Sequence, residues 1–186
     1  MENGSEAYSS RRRRLRLLCV TAICTALFVV VTLCLQTPIF ENYYLCLGYM
    51  VMAICLYSFG TVSGTVVGVL GVVFYCLLIS GLRGMPGWAV GNLAIGVILG
   101  LTFRLTKKMK KKWLRVPVNV IAVAASTALG ILILKSLTEC ILYAQPMIIR
   151  IGKNVFAFAA DVFVLEFSLP LCMSLDKPIR KALKLQ

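Results

Sequence analysis

Long apolar stretches, separated by short polar or basic connectors, set the strongest constraint on this chain. Leu17–Leu35, Tyr43–Phe59, Gly60–Ser80 and Trp88–Phe103 are four such stretches. A fifth begins near Leu114 and continues past Leu134 to about Ala144, and a sixth runs from Met147 to Cys172. About 20 apolar residues are needed for a helix to cross the hydrocarbon core of a bilayer. The runs therefore predict an all-α integral membrane protein with six transmembrane helices. Only Ser58-Phe59-Gly60-Thr61 separates the second run from the third, so that connection must be tight. Composition agrees: 60% of the 186 residues are hydrophobic, mean hydropathy is +0.89, and 15% are charged. A soluble domain carries roughly 25% charged residues. A soluble globular protein, a coiled coil and a disordered chain are excluded.

Positive charge gives an independent reading of the topology. The net charge of +13 sits in three blocks. Arg11, Arg12, Arg13, Arg14 and Arg16 precede the first run. Arg104, Lys107, Lys108, Lys110, Lys111, Lys112 and Arg115 lie between the fourth and fifth. Lys177, Arg180, Lys181 and Lys184 follow the sixth. With six spans, all three blocks share one face, which the positive-inside rule makes cytoplasmic. That face then holds 16 of the 20 basic residues, leaving Arg83, Arg150 and Lys153 opposite and Lys135 within a span. One span more or fewer would scatter the blocks. Both termini are expected in the cytoplasm, with a basic tail over residues 1–16, a membrane domain over 17–176 and a second basic tail over 177–186. The first apolar run lacks a small-x-small cleavage site before Pro38, so it reads as a retained helix and not as a signal peptide.

Several chemistries are missing. The chain has no histidine, hence no imidazole catalysis, imidazole metal site or histidine proton relay. It has no phosphate-binding G-x-x-x-x-G-K-[ST] loop, no dinucleotide fingerprint and no G-x-S-x-G elbow. An enzyme is not expected, and neither is a cofactor. Uphill movement of a solute would need energy from another subunit or an ion gradient. The absence of a twofold repeat of span lengths, which many secondary transporters show, favours another subunit. The eight cysteines are scattered through apolar runs without C-x-x-C spacing and read as small apolar residues, not as metal ligands.

Polar residues inside spans are expensive, at about 2.5–3.5 kcal/mol each on insertion scales, and so are functional candidates by default. Asp161 lies midway along the sixth run. Helical geometry places Asn154, Phe158 and Asp161 on one face. Lys135 and Glu139 are four apart near the outer end of the fifth, and Trp88 and Asn92 are four apart at the outer start of the fourth. Together these seven residues suit a small polar ring compound: Trp88 for stacking, Asn92 and Asn154 for hydrogen bonds, Asp161 or Lys135 for charge. Two alternatives stay open. Lys135 and Glu139 could form only an intrahelical ion pair, and Asp161 could bond a neighbouring helix. Glu166 lies on another face and reads as structural or partner-facing. The outer segment Gln36–Asn42 is either a cover for a pocket mouth or an ordinary connector.

Small residues recur at helical spacing: Gly60, Gly64, Gly68 and Gly71 in the third run, Gly96 and Gly100 in the fourth, Ala22 and Ala26 in the first. Such rows let another backbone approach closely. For the glycines, packing within the bundle is the favoured reading. The alanine pair lies just beyond the arginine block, where a partner protein could reach it.

In their order along the chain these features resemble the substrate-binding S components of energy-coupling factor (ECF-type) vitamin transporters, over about residues 15–175. The resemblance rests on the basic N-terminus, the A-x-x-x-A pair Ala22 and Ala26, the outer loop before a short second helix, and the glycine-rich third helix. Gly87, Trp88, Gly91 and Asn92 at the start of the fourth helix and Gly152, Lys153 and Asn154 at the start of the sixth complete it. It differs in one place, since Leu47-Gly48-Tyr49-Met50 lacks the acidic residue many members have there. The resemblance implies a six-helix subunit of an ABC-type importer in a prokaryotic cytoplasmic membrane. It would bind a vitamin-like micronutrient on the outer side and dock through Ala22 and Ala26 on a transmembrane T subunit. Two ATPase subunits would drive delivery inward, with no nucleic acid involved. A structural reading competes with it: a six-span scaffold protein of the cell-shape machinery, with no ligand and with Asp161 and Lys135 engaged between helices.

Overall fold

The structure is a computed structural model that describes residues 2–35, 38–40, 43–44, 46–79 and 81–182. Its elements are α1 (Glu2–Cys34), a short antiparallel ribbon β1 (Pro38–Phe40) and β2 (Tyr43–Tyr44), then α2 (Gly48–Phe59) and α3 (Thr61–Leu78). α4 (Met85–Lys108) follows, then α5 (Arg115–Thr127), a π-helical stretch (Ala128–Lys135) and α6 (Ser136–Tyr143), which run on as one rod. α7 (Met147–Ala182) closes the bundle. Five of these, with the α5–α6 rod counted once, are long and apolar enough to cross a membrane.

The second expected span is the one the structure shortens. The apolar run over Tyr43–Phe59 yields a helix of only 12 residues, about 18 Å long, which cannot cross a core of about 30 Å. Its neighbour α3 has 18 residues and is about 9 Å longer. The two are joined at Gly60, whose φ of 101° is open to glycine and strained for other residues. Since the helices share this turn, α2 stops short at the far end. That shortfall leaves a depression above its first residue.

The glycine rows serve the interior. A Cβ on Gly68 would collide with Met52, and one on Gly71 with Phe28, 2.7 Å from its Cγ. On α4, a Cβ at Gly100 would lie 2.8 Å from Thr61 Cα. Gly91 and Gly130 bring α4 and the π-helical stretch into backbone contact: a Cβ on either would meet the other's carbonyl oxygen at 2.7–2.9 Å. Phe28, Tyr49, Met52, Leu56, Val67, Ile95, Leu99 and Leu165 fill the core between the rows. Four of the cysteines, Cys46, Cys55, Cys76 and Cys172, are buried in that core as free thiols.

The outer surface is apolar, with Ile23, Val62, Phe163 and Phe167 all exposed. This is the surface of a multi-pass membrane protein. α1 stands apart. Its apolar window is the most hydrophobic of the five, at a mean hydropathy of 2.7, yet only 22% of it is buried, against 33% to 44% in the others. α7 runs on through Pro170 and Pro178 to Ala182, ten residues past the expected end of the sixth span.

Candidate functional site

Above the start of α2 lies a cavity of about 220 Å³. Its walls come from four sides: Thr32 of α1, Cys46 ahead of α2, Tyr75, Cys76 and Ile79 of α3 and its end, and Trp88 of α4. Lys135, the last residue of the π-helical stretch, and Ala157 and Asp161 of α7 complete it. π-helical turns are rare and recur at functional sites. This one ends on the residue that puts a cation into the cavity.

The aromatic wall is fixed from behind. Trp88 Nε1–H donates to the Tyr49 hydroxyl at 2.8 Å, Tyr49 donates to Asn92 Oδ1 at 2.6 Å, and Asn92 Nδ2–H donates to the Gly68 carbonyl at 2.9 Å. Tyr49 and Asn92 are fully buried. The chain of bonds ties α4 to α2 and α3 and holds the indole at one angle, where Tyr75 meets it edge-on with ring centres 5.7 Å apart.

Lys135 and Asp161 supply the charged side chains of the lining. Asp161 is 5% exposed and lines the same cavity as Lys135. They stand too far apart for an ion pair within 4.0 Å, and Lys135 has no such partner among the described residues. Two opposite charges thus face one small apolar-walled space without neutralising each other directly. Desolvated groups held in this way interact strongly with whatever enters.

The seven residues expected to bind a ligand fall into two groups. Trp88, Lys135 and Asp161 line the cavity. Asn92 sits one bond behind it. Asn154 is buried and donates to Ser136 Oγ at 2.9 Å, pinning α7 to α6. Phe158 is half-buried and packs on the core. Glu139 does not pair with Lys135. Its carboxylate meets Arg150 at 3.3 Å, because the π-helical turn ends between the two and Arg150 enters from α7. Glu139 and Arg150, with Arg83 and Tyr143, form a separate recess that shares Gly84 with the cavity. Glu166 is half-buried.

Tyr49, Tyr75 and Thr32 were not anticipated. Tyr75 had a signal, since it continues the inward row of Gly64, Gly68 and Gly71. Tyr49 had none, because a tyrosine in an apolar run carries no mark of its partners. Of the expected cover, Gln36, Thr37, Glu41 and Asn42 lie outside the described residues. Ala22 and Ala26 are exposed on α1 and border an apolar groove of about 520 Å³ with Val30, Leu70, Phe74 and Leu77.

A multi-pass membrane protein with a small cavity lined by aromatic rings, a lysine and an aspartate has the build of a solute-binding membrane subunit. The match to known families agrees. Residues 13–177 fit the model of the ECF-type riboflavin transporter S component family, and the chain belongs to that family. No curated protein matches the chain.

Proposed function

We propose that this chain is the substrate-binding subunit of an ECF-type importer and that its ligand is riboflavin, the compound for which its family is named. The observation that carries the reading is the cavity formed by Trp88, Tyr75, Lys135 and Asp161 in a chain matched to that family over residues 13–177. A flavin offers a planar ring with a polar edge of carbonyls and N–H, and a polyol tail. The ring suits the aromatic wall. Its polar edge suits Lys135 as donor and Asp161 as acceptor. A flavin is larger than the described cavity, so the polyol extends past Ile79, Gly81 and Gly84 toward the recess beside Arg83.

In this reading the chain crosses the membrane six times, with α2 covering only part of its own crossing. The three basic blocks and both termini face the cytoplasm, and the cavity opens outward in a prokaryotic plasma membrane. The alanine pair on the sparsely buried α1 is the docking face for the T subunit, with two ATPases as the energy source. The alanine groove supports this, since small side chains let a partner helix approach closely.

Two experiments test the reading. Riboflavin titrated into the purified protein should lose its fluorescence on binding, and Trp88→Ala should weaken that binding about tenfold through lost stacking. No quenching and no thermal stabilisation by riboflavin would sink the ligand assignment. Replacing Ala22 and Ala26 together with leucine should abolish cellular uptake while leaving binding to the purified protein unchanged. Uptake that survives would refute the docking face.

A further inference from the structure

At the opposite end of the bundle from the ligand cavity, a second cavity of about 480 Å³ lies among the ends of α2, α4 and α7, the start of α3 and the arginine stretch of α1. Four cations line it: Arg13, Arg104, Lys107 and Arg180. One carboxylate answers them. Asp176 pairs with Lys107 at 2.9 Å and with Arg180 at 3.1 Å. The same two cations also bond the last carbonyls of α2: Lys107 donates to Tyr57 and Arg180 to Ser58, the latter at 3.0 Å. They cap a helix end that would otherwise leave bare carbonyls. Lys107 and Arg180 are therefore held in place, and Arg13 and Arg104 have no acidic partner among the described residues. Among the described residues, one carboxylate thus stands against four cations around one recess.

The recess is not polar throughout. Leu56, Phe59 and Phe103 form its inner wall, and Val62, 78% exposed, carries that wall out to the lipid-facing surface. A cationic rim above an apolar wall open to the bilayer complements an amphiphile. Hydrated inorganic phosphate would gain nothing from the apolar part.

We propose that this recess is a binding site for the phosphate headgroup of an anionic phospholipid, with the first part of an acyl chain lying along Leu56, Val62 and Phe103. The lipid's phosphate lies against Arg13 and Arg104, which brings the basic stretch of α1 onto the start of α3 and the end of α4. Assignment to the inner leaflet rests on the orientation proposed above; the binding itself does not.

The test uses the full-length protein, delipidated in detergent and titrated with phosphatidylglycerol or with phosphatidylcholine of the same acyl chains. Retention is read by native mass spectrometry and stabilisation by thermal unfolding. Phosphatidylglycerol should be retained preferentially and should raise the Tm. Arg13→Gln and Arg104→Gln should each weaken that binding about five-fold, as expected for one basic contact near an anionic lipid surface. Lys110→Gln with Lys111→Gln, nearby charges outside the recess, should leave it unchanged. An unaltered Tm of each variant without lipid shows that it is folded. Equal retention of the two lipids would overturn the proposal. So would a loss in the Lys110/Lys111 variant as large as in the arginine variants, which would mean unspecific surface attraction. Stabilisation by inorganic phosphate equal to that by phosphatidylglycerol would make this a free-phosphate site and refute the lipid. Riboflavin titration of the same samples separates failure here from failure of the ligand assignment.

Discussion

The two ends of α2 show opposite solutions to one problem. At its start, a 12-residue helix stops short and the missing length becomes a cavity, lined by aromatic rings and one charge of each sign. At its end, the same helix is clamped: Lys107 and Arg180 close its carbonyls, Asp176 holds both cations, and Gly60 turns the chain directly into α3. One end is left open for a solute and the other is tied to three helices. A short helix anchored at one end places all of its shortfall at the other. This is why the site forms there and not midway through the bundle.

That contrast can be broken in three ways. The most damaging should be Gly91→Val, which drives a side chain into the Gly130 carbonyl, 2.9 Å from where its Cβ would sit. Because the obstacle is backbone, α4 and the π-helical stretch must separate, at about 1–3 kcal/mol or more. A large fall in Tm together with loss of ligand binding is the expected result; an unchanged Tm would show that the helix contact is not tight. Tyr49→Phe is milder. It removes the acceptor for the half-buried Trp88 and the donor to the buried Asn92, and should cost about 1–3 kcal/mol by leaving polar atoms unpaired. Ligand affinity should fall with it, because the indole loses its fixed angle. A Tyr49→Phe protein with full stability and full affinity would mean that the network does not position Trp88. The smallest effect belongs to the clamped end. Asp176→Asn removes the carboxylate partner of Lys107 and Arg180, whose ion pairs are partly exposed, and should cost about 0–1 kcal/mol, less at high salt. Riboflavin binding should not change. If it did, the two ends of α2 would be coupled rather than separate.

Much of this was legible in the residues. The apolar runs and basic blocks gave a helical membrane protein, since length and hydropathy decide spans locally. Trp88, Lys135 and Asp161 were found because a polar or aromatic group in an apolar run stands out by itself. Asn92, Asn154 and Glu139 stand out for the same reason, yet the structure gives them partners in Tyr49, Ser136 and Arg150. Composition marks a buried polar group as needing a partner; it does not say whether that partner is a ligand or the next helix. The shortened second helix was hidden too, since Tyr43–Phe59 is apolar throughout and nothing in it marks Gly48 as the start.

The sequence by itself determined that this chain lives in a bilayer, how its charges sort to one side, and which small residues let its helices meet. Those properties follow from single segments and their contact with lipid or water. Only the tertiary structure decided that α2 is short, that Lys135 and Asp161 face one cavity from two helices, and that Lys107 and Arg180 seal the other end. These depend on which helix lies beside which, and distances between helices arise from packing the whole bundle at once.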